Sequence, residues 1–291
     1  MDQVAKAHIF QALHRGPEIL VIANAWDAAS ARVFEHAGMR AVGTGSAGIA
    51  FSHGFPDNER VPREVILRAT REIVNAVGVP VTADILTGLA PTLEGVVATV
   101  KEVIALGAVG INIEDGTDGP PGSGTWGGHP GSGTWGAGRL VDLAEQVEKI
   151  AAVCAAVKAS GVPIVVNART DSFWLKLGEE RSRLGASIER ANRYREAGAD
   201  CLFVPAAVDR ETLRILAAEI NGPLNILASP GCPATAELQQ LGVRRVSEGS
   251  GPMRAAMMLT RRIAEELLQH GTYTRYHDDA IAYSEANRLF E

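Results

Sequence analysis

One rhythm runs through this chain: an amphipathic helical stretch, a glycine, two or three residues, then a short apolar run. It recurs at Ala37-Gly38, Val77-Gly78, Leu106-Gly107, Ser160-Gly161, Ala197-Gly198 and Leu241-Gly242. A glycine there lets a helix end and the chain turn at once into a strand. Connections this short demand alternating β and α elements, which stack as parallel strands with helices outside. The apolar runs predict strands at 20–23, 41–45, 79–84, 110–114, 163–168, 201–205, 224–228 and 244–247. Several are almost continuously apolar, as parallel strands buried on both faces are.

Between them lie helical periods. In 64–76, Val65, Ile66, Ala69, Ile73 and Val74 recur at three- and four-residue steps after Pro62. Similar patterns cover 93–106, 140–159 and 188–197. Eight strands with intervening helices most simply close into a (β/α)8 TIM-type barrel, and 291 residues suit one such domain. The rival, an open doubly wound sheet, usually carries a Gly-x-Gly-x-x-Gly turn after its first strand. Here that place reads Ala23-Asn24-Ala25-Trp26-Asp27. Three helical stretches fall outside the repeat: a leading one at 4–13, and 252–270 and 278–290 in a C-terminal extension, 252–291. Surplus terminal helices need a surface to dock on, so a homo-oligomer, dimer or tetramer, is expected.

Charge and cysteine usage narrow the function classes. A net charge of −6 argues against a nucleic-acid partner, while leaving a small anionic substrate open. The three cysteines, Cys154, Cys201 and Cys232, form no close pair, which fits a reducing compartment. The first residues lack the basic start and apolar core of a signal peptide. No apolar run approaches the ~18–20 residues of a membrane span. A cytoplasmic location without a membrane partner is expected.

In a barrel of this kind the chemistry sits where the strands end. Those ends carry Asn24 and Asp27, Thr44 and Ser46, Asp84, Glu114 and Asp115, Asn167, Arg169 and Asp171, Pro205, Ser229 and Glu248. Asp84 and Glu114 close adjacent predicted strands, and two hard carboxylates in one cavity suit Mg²⁺ or Mn²⁺. Without a cation they repel each other. Arg169 offers a planar guanidinium to a substrate carboxylate or a developing oxyanion. Each has a structural alternative: Asp84 as the cap of its turn, Asp115 as an acceptor for loop N–H groups, Arg169 and Asp171 as a pair across a turn. Of the histidines, only His53 and His129 lie in loops over the mouth.

These residues resemble the phosphoenolpyruvate mutase/isocitrate lyase superfamily. The resemblance rests on Asn24-Ala25-Trp26-Asp27-Ala28, Thr44-Gly45-Ser46-Ala47-Gly48 with Pro56-Asp57, Thr82-Ala83-Asp84, Asn112-Ile113-Glu114-Asp115 and Asn167-Ala168-Arg169-Thr170-Asp171, in that order along nearly the whole chain. It implies Mg²⁺ (or Mn²⁺) held directly by Asp84, with Asp57 and Glu114 reaching it through waters. It implies that Ser46 and the backbone N–H groups of Ala47 and Gly48 grip a substrate carboxylate, and that Arg169 holds the oxygen-bearing end of a 2-oxo acid or enolate. On this resemblance Trp26 and Asn167 join the substrate-binding set, and Arg169, Asp57 and His129 are the catalytic candidates.

The implied activity is a Mg²⁺-dependent lyase acting on a small 2-oxo or 2-hydroxy carboxylate through an enolate of pyruvate type. The alternatives are a phosphonate mutase or hydrolase of the same superfamily, or a member that binds an oxo acid without turning it over. A phosphosugar enzyme is a further rival, since Gly249-Ser250-Gly251-Pro252 could present backbone N–H groups to phosphate.

Two features depart from the family pattern. Where a second acid usually follows the metal aspartate by two residues, this chain has Leu86. Where the isocitrate-cleaving members carry a catalytic cysteine, it has a nine-residue tandem repeat, Pro121-Gly122-Ser123-Gly124-Thr125-Trp126-Gly127-Gly128-His129 followed by Pro130-Gly131-Ser132-Gly133-Thr134-Trp135. Isocitrate cleavage itself is therefore not expected. The repeat reads either as a neutral insertion or as a lid whose Trp126 or Trp135 excludes water.

Overall fold

The computed structural model describes residues 1–57, 61–117, 138–278 and 280–291. Eight parallel strands close into a barrel: β1 (Leu20–Ala25), β2 (Val42–Thr44), β3 (Val81–Asp84), β4 (Gly110–Glu114), β7 (Val165–Arg169), β8 (Cys201–Phe203), β9 (Leu224–Leu227) and β10 (Arg245–Ser247). Around the ring the order is β1-β10-β9-β8-β7-β4-β3-β2, and the ring shuts where Leu20, Val21 and Ile22 pair with Arg245, Val246 and Ser247. The remaining two strands, β5 (Gly116–Thr117) and β6 (Arg139–Leu140), form a small antiparallel ribbon beyond the end of β4.

The glycines behave as their spacing predicts. Gly38, Gly107, Gly161, Gly198 and Gly242 all take positive φ at helix-to-strand turns, a conformation other residues adopt at a cost. Gly78 is the exception: its φ is ordinary, and its N–H instead donates to Glu35 Oε1 at 2.7 Å.

Outer helices follow the strands: α2 (Ala28–His36), α4 (Arg63–Ala76), α5 (Leu93–Ala105), α6 (Leu143–Ser160), α7 (Glu180–Glu196), α8 (Arg210–Glu219) and α9 (Thr235–Gln240). Side-chain caps start many of them. Asp27 caps α2 in a reciprocal box with Ser30, Thr92 caps α5, Asp142 caps α6 and Asp209 caps α8. Helix α6 therefore begins at Leu143, three residues later than its apolar pattern suggests. Their apolar stripes bury Val96, Val100 and Val103 of α5 and Ile150 and Val153 of α6 against the strands. Each such side chain contributes about 1.5–3 kcal/mol when fully buried.

Helix α1 (Gln3–Arg15), the leading stretch, plugs the barrel from below. Its Ala7, Phe10 and Leu13 pack on Leu20, Ile22, Val109, Val165 and Cys201 at the strands' starts. A second element, α3 (Ser46–Ser52), follows β2 directly and has no counterpart in the apolar pattern. At the other end α10 (Gly251–His270) buries none of its residues, and the tail forms two short helices, α11 (Thr274–Asp278) and α12 (Tyr283–Arg288), where one stretch was expected. Among the described residues no helix is long and apolar enough to cross a membrane.

Candidate active site

Because strand direction is shared, the ends of β3, β4 and β7 rise to one rim. Register fixes which residues meet there: Asp84 pairs with Asn112, and Glu114 with Arg169. Arg169 Nη1 contacts Glu114 Oε2 at 2.6 Å, and its Nε donates to Asp171 Oδ1 at 2.7 Å. Its guanidinium also lies 5.5 Å from the Trp174 ring centroid and 5.6 Å from that of Phe203. Two charge-assisted bonds and two aromatic faces leave it little freedom. The pairing of Arg169 with Asp171 is thus real, and it fixes the arginine in place at the rim.

More negative charge collects here than one arginine neutralises. Burial drives the Glu114 carboxyl well above the usual carboxylate range; Arg169 opposes this, while Asp171, Asp84 and Asp57 add to it. Burial likewise pushes Asp171 up from 3.8 to about 6, against the pull of Arg169 and with help from Asp115. A carboxyl raised on folding holds its proton more tightly folded than unfolded. Its contribution to stability is therefore present below about pH 4 and lost as pH rises to about 6. Thermal midpoints of the metal-free protein should carry that downward slope, and Asp171→Asn should flatten it. An unchanged slope in the variant would exclude Asp171 as its source.

Asp84 is half-buried and well held. Its Oδ2 accepts from the Ser46 backbone N–H at 3.2 Å and the Ser46 hydroxyl at 2.8 Å, and its Oδ1 accepts from the Leu86 N–H at 3.2 Å. It therefore does cap its own turn. Leu86 stands at φ 52, a left-handed conformation that a branched apolar residue adopts at a cost, with its side chain buried.

Other strand-end residues serve the scaffold. Asp115, fully buried, accepts from the Asp171 N–H (2.8 Å), Arg190 Nη1 (3.0 Å) and the Tyr194 hydroxyl (2.6 Å). Arg190 also donates to the Val141 carbonyl, so this cluster ties the β5–β6 ribbon to α7. Asn24 Oδ1 accepts from the N–H groups of Glu248 and Gly249, and its Nδ2 donates to the Thr44 carbonyl. Of the N–H groups in Gly249-Ser250-Gly251, that of Gly249 is thereby given to Asn24, and that of Gly251 donates to the Glu248 carbonyl, which weakens the phosphosugar reading.

Of the expected substrate-binding set, Ser46 meets the expected metal ligand Asp84 directly, and Ala47 and Gly48 occupy the first turn of α3, where backbone N–H groups lack intrahelical acceptors. Asn167 lies buried one layer below Arg169. Trp26 packs beside Gly48 and against the buried cluster that includes Ile49 and Ala50 of α3; its ring lies edge-to-face on Phe34 and lines a groove with Met253, Ala256 and Met257 of α10. Asp57 reaches the cluster through its charge on Glu114. His53 bonds Ser52 and the Ile49 carbonyl. His129, with the whole tandem repeat, lies outside the described residues.

Residues that sequence reasoning missed are the aromatic walls Trp174 and Phe203, and the support pair Arg190 and Tyr194. Only Phe203, at a strand end, carried a positional signal.

Among the described residues no three histidine, cysteine or carboxylate groups come together closely enough to hold a metal ion by themselves. Mg²⁺ needs no such group of three, since it keeps several waters and takes one or two carboxylates. Surplus buried negative charge around Glu114 is what a hydrated divalent cation would relieve, so the donor set fits.

A closed parallel barrel with a paired arginine and clustered carboxylates on its C-terminal rim has the design of a barrel enzyme. The chain belongs to the phosphoenolpyruvate mutase/isocitrate lyase superfamily, since the family profile of phosphoenolpyruvate phosphomutase matches residues 10–268. It is 30% identical to 2-methylisocitrate lyase of Halalkalibacterium halodurans over 275 residues, covering 93% of this chain and 85% of that one. A crystal structure from Burkholderia cenocepacia shares 33% identity at a TM-score of 0.87, covering 99% of this chain and 97% of that one. The fold is also that of a phosphonopyruvate hydrolase solved with oxalate and Mg²⁺ (TM-score 0.80, 23% identity, 99% of this chain and 95% of that one). The named members are enzymes: lyases, mutases and hydrolases.

Proposed function

We propose that this protein is a Mg²⁺-dependent carbon–carbon lyase of a small 2-oxo or 2-hydroxy carboxylate, working through an enolate of pyruvate type. The observation that carries it is the Arg169 guanidinium clamped between Glu114 and Asp171, beside Asp84. Asp84 would hold the cation directly, with Glu114 and Asp57 oriented toward its waters; the cation would act as a Lewis acid on the enolate oxygen. Arg169 is fixed before substrate arrives, so its positive charge meets the developing oxyanion without reorganisation. Ser46 and the first-turn N–H groups of α3 would bind the substrate carboxylate. Trp174 and Phe203 wall the arginine with apolar surface and strengthen its field by excluding water.

The test is release of pyruvate or glyoxylate from a panel of 2-hydroxy and 2-oxo diacids with Mg²⁺, alongside calorimetric binding of oxalate. Turnover of a diacid with chelator-sensitive loss of rate supports the reading. Oxalate binding without turnover of any carboxylate leaves a non-catalytic binder, and phosphonate turnover identifies the mutase or hydrolase branch.

The protein would work as a homo-oligomer. Helix α10 leaves Met257, Met258, Leu267 and Leu268 exposed, and Tyr273, Tyr276, Tyr283 and Phe290 follow on the tail. This exposed apolar surface supports an interface between copies. Truncation before Tyr273 is expected to lower the mass measured by light scattering; a variant that keeps the parent mass would remove the tail from that interface. Three free cysteines, two of them only half-buried, agree with a cytoplasmic setting.

A further inference from the structure

Barrel interiors of this kind are normally filled by branched aliphatic side chains. Here the middle of the barrel holds an arginine. Arg245, on β10, is fully buried, and its Nη2 donates to Asn112 Oδ1 at 3.1 Å. Strand β4, which carries Asn112, stands four places round the ring from β10, so the side chain spans the barrel's full width. Its guanidinium lies 5.9 Å from the Phe10 ring centroid of the plug helix, and Nη1 stands 3.4 Å from His14 Nε2. Gly110 makes room for this plug: a Cβ there would come within 2.6 Å of Phe10 Cε1.

His14 serves as a neutral partner. Burial, then the charge of Arg245, lowers its pKa to about 3. Its Nδ1 lies 2.8 Å from the Phe10 carbonyl, so the ring proton sits on Nδ1 and Nε2 is left as an acceptor facing the arginine. Burial lowers Arg245 itself only to about 10, so it stays charged at neutral pH. Among the described residues no carboxylate pairs with it directly. A buried cation without a counter-ion is costly, and stability alone would favour an apolar residue of the same length.

What the arginine gives in return is an orientation. Asn112 Oδ1 accepts twice, from Arg245 Nη2 and from Asn167 Nδ2 at 2.8 Å. Asn112 and Asn167 are register partners, each two residues before a rim residue, Glu114 or Arg169, and so on the same face one layer down. With Asn112 held as a double acceptor, Asn167 must turn its amide nitrogen toward it. Asn167 Oδ1 is then buried without a partner among the described residues.

We propose that Arg245 is a positioning residue of the active site: through Asn112 it locks the Asn167 amide with its oxygen free, and its charge favours an anion bound at the rim. The ligand side of this inference rests on the proposed function; the amide lock does not. Asp84 is the rim carboxylate that feels the Arg245 charge.

The experiment uses the full-length protein and Arg245→Met, which keeps the side chain's length and removes its charge. In the ligand-free protein the Asn167 side-chain amide resonances, assigned with Asn167→Asp, should shift or broaden. Oxalate affinity with Mg²⁺ should fall about tenfold or more, as for loss of a charged hydrogen bond, while the thermal midpoint holds or rises. Arg245→Lys, which keeps the cation, should return oxalate affinity to within about threefold of the parent. Should the Met variant not fold, Arg245→Gln, too short to cross the barrel, is read the same way.

Unchanged Asn167 resonances overturn the lock. Oxalate affinity equal to the parent's in the charge-free variant overturns the electrostatic role. If the parent itself binds no oxalate, the proposed function falls, and the amide resonances alone then decide for or against Arg245.

Discussion

Replacing Asp84 with asparagine is expected to abolish measurable turnover, a loss of roughly 10³-fold if the carboxylate supplies the several kcal/mol typical of a direct metal ligand. The geometry also sets the accompanying stability change. The carboxylate takes Ser46 donors on one oxygen and the Leu86 N–H on the other. An asparagine amide keeps only one acceptor, so one of these groups faces another donor, at a cost of about 1–2 kcal/mol. Removing a charge from the crowded cluster offsets part of this, since Asp84 is among the groups that raise Glu114. The variant should therefore remain folded, with Mg²⁺ binding lost by calorimetry. Turnover within a few-fold of the parent would exclude Asp84 as the metal ligand.

Arg169→Ala is the second large effect, and it should strike stability and rate together. The deletion leaves Glu114, 3% exposed, and Asp171, fully buried, without their shared counter-charge. Breaking a buried pair from one side costs about 3–5 kcal/mol. Arg169→Lys separates the two roles. A lysine keeps a positive charge between the carboxylates but lacks the fork that engages both through different nitrogens. Most of the stability should return, while turnover stays down by about 10²–10³, the range seen when one preorganised oxyanion donor is lost. A lysine variant with full activity would mean that only charge, and not the clamped geometry, matters at this position.

The barrel was legible because two independent signals coincide. Apolar runs mark strands buried on both faces, and glycines mark the turns that feed them; at Gly38, Gly107, Gly161, Gly198 and Gly242 the positive φ supplies the reason. Helix α3 was not legible, since its seven residues are too few to show an apolar period and Gly48 and two serines weaken the helical signal of Ala47 and Ala50. The first turns of α7 were hidden too, as Glu180–Arg183 is polar throughout and α7 has little apolar stripe there. At the rim, strand-end logic correctly gathered Asp84, Glu114, Arg169 and Asp171. It could not separate them from Asp115, Asp27 and Asn24, whose partners are tertiary or capping contacts. The Arg190 and Tyr194 that claim Asp115 lie 75 and 79 residues downstream, and no local pattern announces them. Arg245 escaped for the same reason: its partner Asn112 is 133 residues away.

The plug helix has a consequence for how the chain assembles. Helix α1 is made before every strand of the barrel, yet Phe10 and His14 rest against Arg245, and the Ile19 N–H donates to Gln239 across 220 residues. Its seat is finished only when β10, the last strand of the barrel, meets β1. Until then the apolar face of α1 has no complete partner, and the nascent chain must carry it while all eight strands are made. Contacts this distant in sequence are slow to form and leave apolar surface exposed meanwhile. The last seam to close is thus the one that holds the plug helix, so a chain stalled before residue 245 would be an open fan of strands with its floor unfastened.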